Sequence, residues 1–129
     1  MSKIIGTVCF IIQNNKVLLA EIQMPNGTRV WNGLGGVVED SESLEEAVAR
    51  EMAEETKLII KPGDVTEAKV ITIGDLELHA MVTHKWAGEL TPNEPSILQL
   101  QWFDIDAVPY DQMHPGNDEW LPEILKVSH

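Results

Sequence analysis

Basic residues are scarce in this chain of 129: nine Lys and Arg stand against 21 Asp and Glu, a formal net charge of −12 at pH 7. That balance excludes a nucleic-acid duplex or an anionic membrane as the main partner, because both repel an acidic surface. A small phosphate substrate stays compatible, since a divalent metal reverses the sign locally. Cysteine is nearly missing. Cys9 is alone and cannot form an internal disulfide; it lies in the apolar run 8–12 and reads as a buried thiol in a reducing compartment. Apolar runs are short, and none approaches the roughly eighteen residues that span a bilayer. The opening Met1-Ser2-Lys3-Ile4 lacks the charged and apolar regions of a leader peptide. A soluble, cytoplasmic protein is therefore expected. No repeat, low-complexity tract or linker divides the chain, so one domain, 1–129, is expected, long enough for a core without disulfides. Oligomeric state is not legible.

What is present is strand-like segments around one clear helix. Ile4–Ile12 is rich in β-branched residues, turns at Gln13-Asn14-Asn15, and returns as Lys16–Ile22. Pro25–Thr28 reads as a loop. Over Val30–Val38 the glycines at 33, 35 and 36 are expected to break any regular element. Lys69–Ile73 and Leu76–Thr83 read as a hairpin around Gly74-Asp75, and Leu98–Phe103 as a half-exposed strand. Ser43 and Glu46 form a capping-box pattern before a helix at about Leu44–Thr56. Asp118 is expected to cap a last short helix toward Val127, with Pro122 near its first turn. Strands around one long helix, with a second near the end, indicate a mixed α/β domain.

The helix carries carboxylates where its geometry does not welcome them. From Glu39 to Glu55 there are eight acidic residues and one basic residue, Arg50. At about 100° per residue, Leu44, Ala47, Val48 and Met52 form the apolar stripe that must face the core. On the same count Glu51 and Glu55 fall in the middle of that stripe, within about 20° of its centre, and Glu54 at its edge. Carboxylates one turn apart on such a face must neutralise, pair, or coordinate a metal. Arg50 points elsewhere on this count and cannot serve all three. Oxygen-only ligands select hard cations, Mg²⁺ or Mn²⁺, and carboxylates holding such a metal most often serve phosphate chemistry. A structural metal site and a helix–helix salt bridge remain the alternatives.

These residues belong to a longer pattern. After Gly36, five residues intervene before Glu42 and seven more before Arg50-Glu51, then come Met52, Ala53, Glu54-Glu55, Thr56, Lys57 and Leu58. This resembles the Nudix box of the MutT/Nudix hydrolases, G-x5-E-x7-R-E-U-x-E-E-x-G-U with U a bulky apolar residue. Every defined position matches except the final Gly, here Lys57, a change expected to affect how the helix terminates. The resemblance implies a mixed sheet sandwiched between helices and hydrolysis of a nucleoside diphosphate derivative by water attack on phosphorus. It places metal ligands at Glu51, Glu54, Glu55 and the Gly35 carbonyl, assigns the general base to Glu54 or Glu55 without choosing, and makes Glu42 and Arg50 an internal ion pair.

A narrower resemblance covers most of the chain. Trp31-Asn32-Gly33-Leu34-Gly35-Gly36 is similar to the W-N-G-F-G-G lead-in of the animal oxidised-purine nucleoside triphosphatases, as is the spacing of Trp102, Pro109, Met113 and Trp120. It implies Thr7 and Asn32 in a base pocket, with His114, Asn117 and Asp118 from the later segment. There the subfamily reads M-W-P-D-D, where this chain has Met113-His114-Pro115-Gly116-Asn117, so both acids are replaced and Asp118 lies one position beyond. An extra metal carboxylate of the family falls at Ile97, with Glu94 the nearest substitute. No Lys or Arg stands at 21–23, where the subfamily is basic, and Arg29 is the nearby cation.

The implied activity is hydrolysis of a nucleoside triphosphate, its base modified or not, to the monophosphate and pyrophosphate. Other nucleoside diphosphate derivatives (a dinucleoside polyphosphate, a nucleotide sugar, ADP-ribose) and a nucleotide sensor without turnover are the alternatives. Trp31 reads as either a packing residue or a base platform. Trp102 and Trp120 read as packing, His84 and His129 as surface residues, His79 as a neutral strand residue, and Asp104, Asp106 and Asp111 as turn and cap residues.

Overall fold

Alternation along the first strand decides the layering. In the computed structural model, which describes residues 3–128, β1 (Ile4–Gln13) sends Val8, Phe10 and Ile12 into one apolar cluster and Cys9 and Ile11 into another. Successive strand side chains point to opposite faces, so the two clusters lie on opposite sides of the sheet. α1 (Leu44–Thr56) closes the Cys9 side with Val48 and Met52, and α2 (Asn117–Ser128) closes the other with Trp120, Leu121, Ile124 and Leu125. The result is the expected α/β sandwich.

The remaining strands are β2 (Lys16–Gln23), β3 (Arg29–Asn32), β4 (Leu34–Val37), β5 (Val65–Ile73), β6 (Leu76–Thr83) and β7 (Ile97–Asp104). Their order is β3-β2-β1-β6-β5, with β4 also on β1 and β7 also on β2. β1 and β6 run parallel and the other pairs antiparallel. β1 joins two groups of strands: residues 6–9 lie between β4 and β6, and residues 12–13 pair with β2. Asn14 and Asn15 turn the chain between them, both at positive φ (53° and 62°), which suits the twist of a two-residue hairpin.

Three local expectations change. The glycine-rich stretch is not irregular; Gly35 and Gly36 lie inside β4. A Cβ on Gly35 would sit 1.9 Å from the Thr7 carbonyl oxygen, so glycine here is what lets β4 close on β1. β5 begins at Val65, four residues earlier than its apolar pattern shows. α2 begins at Asn117, which puts Asp118 in its first turn and Pro122 inside the helix.

The start of α1 follows the sequence closely. The Ser43 hydroxyl accepts from the Glu46 N–H (3.0 Å) and the Glu46 carboxylate from the Ser43 N–H (2.8 Å). Lys57 ends the helix in the left-handed region, at φ 64°, where glycine is usual.

Trp31 packs edge-on to Phe103 at 4.9 Å in the core, which settles its role as packing. Cys9 is buried, and burial pushes its thiol up to about 12. His79 is not an isolated neutral residue: its Nδ1 faces Glu67, and its Nε2 faces Glu77 at 2.7 Å. Burial alone would lower its pKa, but the two carboxylates raise it, favouring the imidazolium. His84 is exposed; His129 lies outside the described residues.

Candidate active site

The catalytic candidates stand on the face of α1 that meets β4. Met52 and Val48 must be buried to close the core, and helical periodicity then turns Glu51 and Glu55 the same way. Both are half-buried, while Glu54 at the edge of the stripe is exposed. Arg50 does not point away from them. Its Nε and Nη2 grip Glu42 at 2.7 and 2.9 Å, its Nη1 reaches Glu51 at 2.8 Å and Glu54 at 3.4 Å, and Nη2 also donates to the Val37 carbonyl at 3.1 Å. The paired hydrogen bonds from Arg50, with help from the Glu39 N–H, hold the Glu42 carboxyl down at about 2. A two-pronged guanidinium contact fixes direction as well as charge, so Arg50 ties the loop bearing Glu42 to the helix.

Glu55 has no such partner. One of its carboxylate oxygens is buried without a hydrogen bond among the described residues. Burial first, then the charges of Glu51, Glu94 and Glu54, push its pKa up to about 8, opposed only by a hydrogen bond from the Gly35 N–H. Glu51 is also raised, by burial, with Arg50 opposing. One arginine among these acids leaves the cluster short of positive charge. A hard divalent cation answers that deficit with oxygen ligands alone, so the donor set fits one. Two of the carboxylates are drawn to Arg50, and among the described residues no three acidic or imidazole side chains form a ready-made cage.

The glycines of β4 join this cluster to a cleft. A Cβ on Gly36 would lie 2.6 Å from the Glu51 carboxylate, so α1 approaches the bare backbone of β4. The same Gly35 and Gly36 line a cleft of about 730 Å³, within the size range of small-molecule sites. Thr7, Asn32, His114 and Asn117, four residues widely separated in sequence, come together in its lining. Thr7 is 3% exposed, and its hydroxyl has no hydrogen-bond partner among the described residues. Asn32 Oδ1 accepts from the Gly33 N–H (2.8 Å) and from Asn117 Nδ2 (3.2 Å). Among the described residues the Asn32 amide N–H₂ and the Asn117 amide oxygen make no side-chain hydrogen bond. Asp118 is exposed and outside the lining.

Sequence reasoning missed the far wall, formed by Ile71, Ile73, Leu76 and Leu78 of the β5–β6 hairpin, and it missed Glu119. Ile73 is 56% exposed and Val37 at the rim is 59% exposed. Apolar residues that remain exposed on an edge strand were the available signal, but exposure is not written in the sequence. Trp120 also lines the cleft, with its ring set edge-on to Phe10 at 6.0 Å. Among the described residues no Lys or Arg lines it. Among the described residues no helix is long and apolar enough to cross a membrane.

Comparison with known proteins agrees with this geometry. The NUDIX domain model matches residues 3–124. An oxidised purine nucleoside triphosphate hydrolase of Danio rerio is 35% identical over 127 residues, covering 93% of this chain and 78% of that protein. The protein of the same name from Mus musculus is 29% identical with the same coverage. The crystal structure of a MutT NUDIX hydrolase from Burkholderia pseudomallei superposes with a TM-score of 0.79 at 23% identity, covering 97% of this chain and 96% of the other. The chain belongs to the Nudix hydrolases.

Proposed function

We propose that this chain hydrolyses a purine nucleoside triphosphate, with an oxidised or otherwise modified base among its substrates, to the nucleoside monophosphate and pyrophosphate. The observation that carries the reading is the shared wall: Gly35 and Gly36 touch the carboxylate cluster on α1 and line the cleft that holds Thr7, Asn32 and Asn117. A nucleotide whose base enters the cleft can then lay its phosphates along β4 toward Glu51, Glu54 and Glu55. Two relatives that carry the name oxidised purine nucleoside triphosphate hydrolase support the choice of substrate.

Glu51, Glu54, Glu55 and the Gly35 carbonyl would hold Mg²⁺ or Mn²⁺, which neutralises phosphate charge and acidifies water. This chain contributes the positioning and the proton acceptor. Arg50 keeps Glu42 and Glu51 in register. In the reaction the oxygen of water bonds to phosphorus as the α–β bridging P–O bond breaks, the proton passes to Glu54 or Glu55, and pyrophosphate leaves. Thr7, Asn32 and Asn117 offer neutral donors and acceptors to the base, and His114 offers a ring to stack on.

The test is a hydrolysis panel with Mg²⁺ over ordinary and 8-oxo purine nucleoside triphosphates, ADP-ribose and a dinucleoside polyphosphate, resolving pyrophosphate from orthophosphate. Release of pyrophosphate chiefly from a purine triphosphate is the expected result. Preference for ADP-ribose or the dinucleoside polyphosphate would replace the substrate, and tight nucleotide binding without turnover would make the chain a sensor.

A further inference from the structure

One side chain of the cleft has no part yet in holding a nucleotide. Among the described residues Glu119 is the one carboxylate in the lining, and it has no cation there to face. Its carboxylate makes no hydrogen bond or ion pair among those residues. It is exposed, so solvent reaches it, but nothing in the protein engages it.

Its position follows from the next turn of α2. Residues four apart share a helix face, so Glu119 stands one turn before Glu123, whose carboxylate meets Lys69 Nζ of β5 at 3.7 Å. Along β5, Ile71 and Ile73 continue the face that Lys69 begins. Two strand residues rise about 6.6 Å and one helical turn about 5.4 Å, so the two elements advance in step. Glu119 thereby comes level with Ile71 and Ile73. All three line the cleft, while Lys69 and Glu123 line a separate hollow beyond it. The Cα–Cβ bonds of a helix lean toward its N-terminus, which carries Glu119 toward the cleft end of α2. One wall of the cleft thus holds a free carboxylate and the other, the β5–β6 hairpin, is apolar.

A carboxylate only accepts hydrogen bonds, and its two oxygens can take two parallel N–H donors at once. It also repels phosphate, so a nucleotide in this cleft turns its phosphates toward β4 and its base toward Glu119. Among purine edges, the N1–H and 2-amino group of a guanine-type base present two adjacent donors. Adenine offers an acceptor at N1, and hypoxanthine lacks the 2-amino group. Resting on the proposal that the base enters this cleft, we infer that Glu119 is a specificity-determining residue: it accepts from the N1–H and 2-amino group of a 2-amino-6-oxopurine and so selects guanine-type nucleotides. Oxidation at C8 leaves that edge unchanged.

Calorimetric binding of nucleoside monophosphates to the full chain, without metal, tests this apart from turnover. Wild type should bind guanosine monophosphate about tenfold more tightly than inosine monophosphate, the scale of one hydrogen bond to an exposed charged group. Glu119→Gln keeps the shape and should reduce that preference to about twofold, chiefly by weakening guanosine; its remaining affinity for inosine monophosphate reports a folded cleft. Glu123→Gln removes the same charge one turn away, outside the cleft lining, and should keep the wild-type preference. Equal wild-type affinities for the two nucleotides, or a preference that survives in Glu119→Gln, would overturn the inference and leave the base in the cleft. An equal loss for both that vanishes with deoxyguanosine monophosphate would give the carboxylate to the ribose hydroxyls instead, and an equal loss in Glu123→Gln would reduce it to general charge; either overturns the inference. If no monophosphate bound while the hydrolysis panel still released pyrophosphate, the inference would fall and the reaction would stand.

Discussion

On the helix side of β4, Glu51 and Glu54 share one arginine, Glu55 has none among the described residues, and one Glu55 carboxylate oxygen is buried with nothing to bond. On the cleft side, Thr7, Asn32 and Asn117 present only neutral polar atoms against an apolar wall. Each region is unsatisfied, but in a different currency: the first lacks positive charge, the second lacks hydrogen-bond partners and apolar cover. The proposed nucleotide with its divalent cation would supply both at once. On the proposed function the labour divides accordingly, with charge-driven chemistry at the helix and shape-driven, weakly polar recognition in the cleft.

The largest effect that sharpens this contrast is Glu55→Gln. The swap removes a charge in nearly the same shape and should cut turnover by about 10²–10⁴-fold, the range for losing a positioned proton acceptor, while nucleotide still binds. Steady-state rates and calorimetry on the same variant check both halves. Gly35→Ala attacks the shared wall. Its methyl would meet the Thr7 carbonyl, so β4 must leave β1, and a loss of about 3 kcal/mol or more is expected from overpacking, read by denaturant unfolding.

The charge deficit has its own pH signature. The folded pKa of Glu55, about 8, lies above its unfolded value near 4.5, so the folded state binds more protons between these values. Stability in the presence of a chelator should therefore fall as pH rises from about 5 to 8. Glu55→Gln should flatten that slope, and added Mg²⁺ should reverse it by favouring the ionised carboxylate. Glu42 behaves oppositely. Held at about 2, it keeps its contribution above pH 4.5 and loses it only in strong acid. Thermal midpoints across pH, with chelator and with Mg²⁺, measure both.

The cleft gives smaller effects. Asn32→Ala removes one neutral hydrogen-bonding group and should raise KM by about 3–10-fold, unequally across bases; an equal change for every nucleotide would contradict a base-reading role. The smallest change lies at the end of α1, where Lys57→Gly should stabilise the chain by about 1 kcal/mol by relieving the left-handed backbone.

The two regions also differed in how far the sequence disclosed them. The acidic face of α1 was legible because one helix carries it: spacing alone puts Glu51 and Glu55 on the stripe of Val48 and Met52, and Ser43 with Glu46 marks where the helix starts. Arg50 was misjudged, since angular position on a helix ignores the reach of a long side chain that can stretch sideways to Glu51 and Glu54. The cleft joins residues 7, 32, 114 and 117 with the hairpin at 71–78, and no periodicity connects such distant segments. Family resemblance placed four of its polar residues, but it also suggested Asp118, which the helix start at Asn117 turns outward. The glycines were read as breaks because propensity counts what glycine tolerates. Here they matter for what they leave out, a Cβ between two closely packed backbones.

The most direct test of the account compares wild type and Glu55→Gln on one purine nucleoside triphosphate with Mg²⁺, following pyrophosphate release and nucleotide affinity together. The account predicts pyrophosphate from wild type, and a variant that binds the nucleotide but barely turns it over. Orthophosphate as the sole product, or an undiminished rate in the variant, would contradict it.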